Sequence, residues 1–232
     1  MLRLTGGLAA DRDPASPLLT LYDGPARVEL SGATVANWVS KTANLLVDGH
    51  DRPDRVGLLL PLHWQLPCFL LGAAAAGCAV VVASMPASLQ GCSLAFVDLE
   101  HADRALDAGV EDVLVASGHP LGARLPAVPA LCLDAAVEVP AYGDRYSGPD
   151  AGPPMVLLDG EPFDAPGLGL GPDDRVLTTL APTTPRGLGV LLAALRAGSS
   201  LVLLADGDAA AVAGAERVTA VAGTAVPGLR EL

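Results

Sequence analysis

The chain has 232 residues, 51% hydrophobic and 17% charged, with a formal net charge of −12. That length and apolar content suffice for one large core or two closely packed lobes, and they exclude a disordered chain. The acidic balance, with Lys41 as the one lysine, argues against nucleic acid or an anionic membrane surface as a partner.

Residues 1–13 hold a brief apolar stretch followed by Asp11 and Asp13, which does not read as a secretory signal. Segments 18–22 and 27–30 flank Asp23-Gly24-Pro25 and predict a hairpin. Ser31 then stands where an N-cap belongs. Val35, Trp38, Val39, Thr42, Leu45 and Leu46 recur at helical spacing until Asp48-Gly49, and this helix is expected to lie against a sheet.

A first βαβ unit follows, with 55–60 as strand, 65–76 as helix, Gly77 as helix stop and 78–83 as strand. No charged residue occurs between Arg55 and Asp98, so a membrane span has to be weighed. Pro61, Pro67, Gly72, Gly77 and the polar His63 and Gln65 break that stretch, and its uninterrupted part is shorter than the ~20 residues a span needs. Two central strands and a buried helix explain the same residues, because parallel strands covered on both faces lose their polar alternation.

Residues 94–97 read as a strand, 100–108 as an amphipathic helix ended by Gly109, and 113–116 as another strand. Glu100, Asp103, Asp107, Glu111 and Asp112 form an acidic run, most simply a solvated face. Prolines and glycines thicken over 119–154, which is expected to connect a first lobe (1–118) to a second (155–232), with 131–133 as a candidate short strand. In the second lobe, 155–158 reads as a strand, Asp159-Gly160 as a turn and 167–171 as a glycine-rich loop. Its βαβ unit spans 176–180, 188–196 and 201–204; a helix at 209–216, a strand at 218–221 and a final turn or helix at 227–232 close the chain. Both βαβ units open with Asp-Arg-Val, at Asp54 and Asp174. The expected fold class is α/β: two βαβ-containing lobes with mainly parallel, helix-covered sheets and right-handed crossovers.

Few residues point to chemistry. The cluster Gly167, Gly169, Gly171 precedes a strand, whereas a dinucleotide loop follows a strand and opens a helix. Thr178, Thr179, Thr183, Thr184 and Arg186 gather at the C-terminal end of a strand, where open α/β sheets bind ligands; Pro182 and Pro185 fit an ordinary loop equally well. His63 follows the first strand of its own unit and could face a crevice, although a hydrogen-bonded loop histidine explains it too. The candidate ligand-binding residues are His63, Thr183, Thr184 and Arg186. No catalytic residue, metal or cofactor is assigned. Cys68, Cys78, Cys92 and Cys132 lack any C-x-x-C spacing and read as buried free thiols of a cytoplasmic protein.

From about Pro17 onward the chain resembles the N-terminal part of the adenylate-forming (AMP-binding) superfamily, which includes acyl-CoA synthetases, adenylation domains and luciferases. The resemblance rests on Thr42-Ala-Asn-Leu-Leu46, on Asp54-Arg-Val-Gly-Leu-Leu-Leu-Pro61 with its helix and second strand, on Asp174-Arg-Val-Leu-Thr-Thr-Leu180, on the helix from Gly187 to Gly198, and on Arg217-Val-Thr219. It implies the N-terminal α/β subdomains of those enzymes. Where the family grips ATP phosphates with a Ser/Thr/Gly-rich loop ending in a lysine, this chain reads Met155-Val-Leu-Leu-Asp-Gly-Glu-Pro-Phe-Asp164, and Thr184 aligns where an active-site histidine often stands. The family's adenine- and magnesium-binding motifs and its C-terminal domain have no counterpart here. The expectation is a degenerate, non-adenylating binding or interaction module that self-associates or recruits a protein partner over an apolar truncation edge. The alternative is a protein for an acyl or nucleotide ligand with residual AMP-binding-type activity. A nicotinamide oxidoreductase shares the βαβ pattern and lacks its glycine fingerprint.

Overall fold

Each Asp-Arg-Val opens a strand of a different sheet in the computed structural model, which describes residues 13–148 and 155–232. β1 (Pro17–Asp23) and β2 (Ala26–Ser31) form the expected hairpin, turned at Gly24 with φ of 56°. Ser31 accepts a hydrogen bond from the Thr34 N–H and so caps α1 (Gly32–Asn44). β3 (Arg55–Leu59), α2 (Gln65–Ala76) and β4 (Ala79–Val82) make the first βαβ unit, and Gly77 ends α2 at φ of 83°. Every residue of α2 is buried, which explains its lack of a polar face: it is a central helix of 12 residues. Among the described residues no helix is long and apolar enough to cross a membrane.

β5 (Leu94–Asp98) follows, then a 3₁₀ turn at Leu99–His101 capped by Asp98, α3 (Ala102–Asp107) and β6 (Asp112–Ala116). β7 (Cys132–Asp134) takes the place expected for a strand at 131–133 and leads into α4 (Ala135–Glu138). β8 (Val156–Leu158) and β9 (Glu161–Pro162) turn at Asp159-Gly160. The second unit is β10 (Arg175–Thr178), α5 (Pro185–Ala197) and β11 (Ser200–Asp206); α6 (Ala209–Glu216), β12 (Ala220–Ala222) and β13 (Arg230–Glu231) complete the chain. β13, part of the segment expected as a turn or helix, pairs with β12 and covers its edge with only two residues.

One sheet has the order β13-β12-β10-β11-β1-β2 and the other β7-β6-β5-β3-β4-β8-β9, all pairs parallel except the two hairpins. Strand pairing therefore runs across the expected division of the chain. The hairpin at 17–31 belongs to the sheet of the second unit and the hairpin at 156–162 to the sheet of the first. Both transfers have one cause: β11 and β4 each present an open edge, and a hairpin from the other end of the chain satisfies it. The Pro/Gly-rich segment is partly structured through β7 and α4, while 149–154 lie outside the described residues.

The two sheets share one core. Leu19 and Leu203 of one sheet, Val56 and Val82 of the other, and Leu70, Leu188 and Val35 of the intervening helices form one buried cluster. α3 closes a second cluster on the far face of one sheet, and α6 a third on the far face of the other. Within the shared layer, Phe69 of α2 stacks on Phe96 of β5 with centroids 4.2 Å apart. α1, expected against a sheet, packs chiefly on α2, since Gly72 lets the two helices approach closely.

Polar clamps fix the layers. Tyr22 of β1 and Arg27 of β2 each donate to the Glu216 carboxylate at 2.7 Å, and Arg175 of β10 donates to its other oxygen. Burial pushes the Glu216 carboxyl up, but hydrogen bonds from Arg27, Tyr22 and Arg175 outweigh it and hold the group at about 2. Lys41, the one lysine, is spent on structure: its Nζ donates to the Tyr142 carbonyl at 2.7 Å and pairs with Asp144 at 2.6 Å.

Candidate functional site

The carboxyl end of β10 and the loop after β3 face each other across a narrow crevice lined by Leu62, His63, Leu66, Thr178, Pro182 and Leu191, among others. Leu66 and Leu191 reach it because they sit on the first turns of α2 and the middle of α5, the two helices between the sheets. The crevice spans about 250 Å³ counted to its open mouth, but its interior has room for about one water molecule. A drug-sized ligand needs several hundred Å³ of enclosed space.

His63 and the β10 strand end are thus brought together, as the sequence order alone cannot show. His63 is 5% exposed. Its Nδ1 accepts from the Gln65 N–H at 3.3 Å, and its Nε2 donates to the His119 carbonyl at 3.2 Å. That pair of contacts selects the neutral Nε2–H tautomer and occupies both ring nitrogens. Burial lowers its pKa to about 4, against a smaller opposite effect of the His119 carbonyl. What faces the crevice is a neutral, fully engaged imidazole.

Thr183, Thr184 and Arg186 do not line this crevice. Thr184 is the N-cap of α5: its Oγ1 accepts from the Gly187 N–H at 3.1 Å and donates to the Ala181 carbonyl at 2.8 Å. Arg186 is exposed and donates to the Leu232 backbone carbonyl at 2.5 Å, and Thr183 is half-buried in the turn between. Gly187 makes the junction tight, since a Cβ there would lie 2.0 Å from the Ala181 carbonyl oxygen. The Thr184 hydroxyl and the Arg186 guanidinium are thus directed at the protein's own backbone.

The stretch 155–164, which the family resemblance assigns to phosphate, folds as the β8–β9 hairpin at a sheet edge. Its turn residue Asp159 accepts from the Ser84 N–H and Oγ, both at 2.7 Å. Burial raises the Asp159 carboxyl, but the Ser84 and Ser88 donors prevail and hold it below its ordinary value, so the hairpin carries a firm negative charge. The loop holding Gly167, Gly169 and Gly171 precedes β10 and is tied to the sheet by Ser199 Oγ, which donates to the Gly171 carbonyl at 2.7 Å.

A second small crevice opens on the other side of His63. Leu60, Pro61, Gln65, Asp98, Ala116 and Gly118 line it with His63. Gln65 is 1% exposed, and neither of its side-chain amide atoms has a hydrogen-bond partner among the described residues. Sequence reasoning passed over Gln65 as a site residue; the one signal was a polar side chain inside a charge-free apolar stretch. Among the described residues no group of three His, Cys, Asp or Glu could hold a metal ion, and all four cysteines are free and buried.

No family model matches the chain. A TIGR03089 family protein of Mycobacterium tuberculosis (strain ATCC 25618 / H37Rv) is 35% identical over 213 residues, covering 85% of this chain and 86% of that protein. Among solved structures, the Brucella canis acyl-CoA synthetase superimposes with a TM-score of 0.69 at 18% identity, over 92% of this chain and 46% of that one. Apo MatB from Rhodopseudomonas palustris gives 0.68 at 16% identity, over 95% and 49%. A benzoate CoA ligase from Burkholderia xenovorans LB400 gives 0.66 at 18% identity, over 93% and 48%. These likenesses show the fold, that of the N-terminal portions of adenylate-forming enzymes. The chain spans about half the length of those structures.

Proposed function

The chain belongs to the TIGR03089 family, and from that premise we propose that it is a non-adenylating binding or interaction module built on half of an adenylate-forming fold. One observation carries the reading. The stretch that stands where the resemblance places the phosphate-gripping loop is an edge hairpin bearing Asp159 and Glu161, with Asp159 held as a carboxylate by Ser84. ATP activation requires cations, metal or N–H donors aimed at the phosphates, whereas this segment presents negative charge. Thr184 and Arg186 are engaged with the protein's own backbone. Exposed Met85, Leu121, Leu131 and Met155 supply apolar contacts for a protein partner or a second copy. The buried free thiols fit a reducing cytoplasm.

The test is pyrophosphate exchange into ATP with a panel of carboxylic acids, alongside native mass spectrometry of the protein from its own cells. No exchange, together with a retained partner or a dimer, is expected; exchange with any acid of the panel overturns the reading. A second reading, an acyl or nucleotide ligand with residual activity, is favoured by the position of the His63 crevice at strand carboxyl ends. A thermal shift with AMP, ATP or acyl-CoA would select it.

A further inference from the structure

The outer edges of the two sheets are β13 and β2 in one and β7 and β9 in the other. β13 and β9 have two residues each, with Pro162 in β9, and β7 has three, so these edges are blunt. β2 closes the remaining edge with six residues, and its register against β1 runs without a bulge from Ala26 to Leu30. It holds neither proline nor lysine, the residues that most often block such an edge.

The turn at Gly24-Pro25 fixes which backbone groups of β2 are spent. Asp23 and Ala26 pair across it, and hydrogen-bonded and non-hydrogen-bonded pairs alternate along an antiparallel ladder, so Ala26, Val28 and Leu30 exchange bonds with β1. The Gly24 N–H, which donates to the Asp206 carbonyl of β11 on the opposite side of β1, keeps the same alternation. Arg27 and Glu29 therefore turn their N–H and C=O groups away from β1, toward a side on which no strand pairs with β2 among the described residues. Their exposed side chains share one face and meet at 2.5 Å.

We propose that this edge pairs with the same edge of a second copy, antiparallel about a two-fold axis at Val28. Charge and hydrogen bonding select the same register. With Val28 opposite its counterpart, each Arg27 stands opposite the other copy's Glu29, and these are the residues whose backbone groups point outward, so each pair exchanges both N–H···O bonds. Moving the axis to Arg27 or to Glu29 would set like charges opposite each other. Arg27 Nε and Nη2 serve Glu216 and Glu29 of their own copy, which leaves Nη1 for the Glu29 across the axis. Charges then alternate in sign around the axis, and the half-buried Val28 side chains meet in the closer, non-hydrogen-bonded kind of pair. A net charge of −12 on each copy opposes any association without such local balance. The inference deepens the reading as an interaction module, on which it rests, by naming a second copy as the partner.

The experiment combines sedimentation velocity of the full chain with cysteine trapping at the axis. The wild type is expected to dimerise reversibly with a Kd on the order of 10–100 μM, as suits a small edge interface. Glu29→Arg leaves only arginines around the axis and should weaken the dimer at least about tenfold. Glu29→Pro removes an outward N–H without touching the ladder to β1 and should weaken it likewise, with circular dichroism reporting the fold of both variants. Val28→Cys should form an interchain disulfide in oxidised glutathione, because a non-hydrogen-bonded pair brings Cα atoms to about 4.5 Å. Glu29→Cys, whose counterpart lies beyond the ~7 Å limit in this register, should not. The native cysteines are buried and give little background. A wild type still monomeric at about 1 mM, a dimer undiminished in both Glu29 variants, or equal trapping at positions 28 and 29 each overturns the proposal. A monomer without pyrophosphate exchange overturns the dimer alone and leaves a different protein as the module's partner, whereas exchange by a dimer overturns the module reading alone.

Discussion

Gly72 of α2 faces Thr42 of α1 so closely that a Cβ on Gly72 would lie 2.4 Å from the Thr42 Cβ and 2.6 Å from its Cγ2. The two helices cross at this contact within the layer between the sheets, and backbone as well as side chain would have to move to admit a methyl group. Gly72→Ala should destabilise the protein by about 1–3 kcal/mol despite its better helix propensity. For a chain of this size the Tm should fall by several degrees in calorimetry, on the order of 2–4 °C per kcal/mol. An unchanged or raised Tm would show that the crossing is looser than its geometry.

Thr42 brings a buried hydroxyl to that crossing, and Oγ1 has no partner among the described residues. Valine has nearly the same shape and helix propensity, so Thr42→Val exchanges an unpaired polar atom for a methyl group. A stabilisation of about 1 kcal/mol is expected, read as a higher urea midpoint with unchanged slope. A lower midpoint would reveal a hydrogen bond to solvent inside the helix pair.

His63 makes stability depend on pH. Its folded pKa of about 4 lies below the ordinary 6.5, so between these values the unfolded chain holds a proton that the folded one does not. Its contribution is present in full above about pH 6.5 and is lost as pH falls toward 4, amounting to about 3 kcal/mol across the window. Protonation would also set an Nδ1–H against the Gln65 N–H. Urea titrations from pH 7 to pH 4 should show this slope in the wild type and a shallower one in His63→Asn.

Glu216 adds a second acid-sensitive element at lower pH. Its depressed pKa means that the carboxylate contributes stability above about 4.5, lost as pH falls toward about 2. Glu216→Ala leaves Arg175 facing a buried position without its carboxylate and should cost about 3 kcal/mol at pH 7. Pairing the variant with Arg175→Met should recover part of that loss in a double-mutant cycle, while strict additivity would argue against the coupling.

Thr184 separates a structural from a ligand role. As the N-cap of α5 it should lose about 1 kcal/mol on replacement by alanine and little on replacement by serine. If Thr184→Ala instead leaves the Tm untouched and alters a nucleotide or acyl-CoA thermal shift, the loop serves a ligand after all.

The elements were legible from local pattern. Ser31 and Gly77 mark helix ends because capping and left-handed φ are requirements of a few neighbouring residues. The charge-free stretch around α2 could be read as buried strands and helix because Pro61, Pro67 and Gly72 are unsuited to a span. The 3₁₀ turn at Leu99–His101 and the strand β13 were not foreseen, since each depends on a single cap or a neighbouring edge rather than on periodicity.

Pairing between distant segments followed other rules. Nothing local to residues 17–31 says that they complete the sheet of β10 and β11, nor that 156–162 complete that of β3 and β4; open strand edges choose partners in space. The candidate residues divide for the same reason. His63 meets the β10 strand end across the core, Thr184 and Arg186 turn to backbone groups, and Trp64 donates to the Pro120 carbonyl more than fifty residues away. Local structure is written in intervals of three or four residues, whereas a site is a meeting of side chains that the folded backbone alone brings within hydrogen-bonding distance.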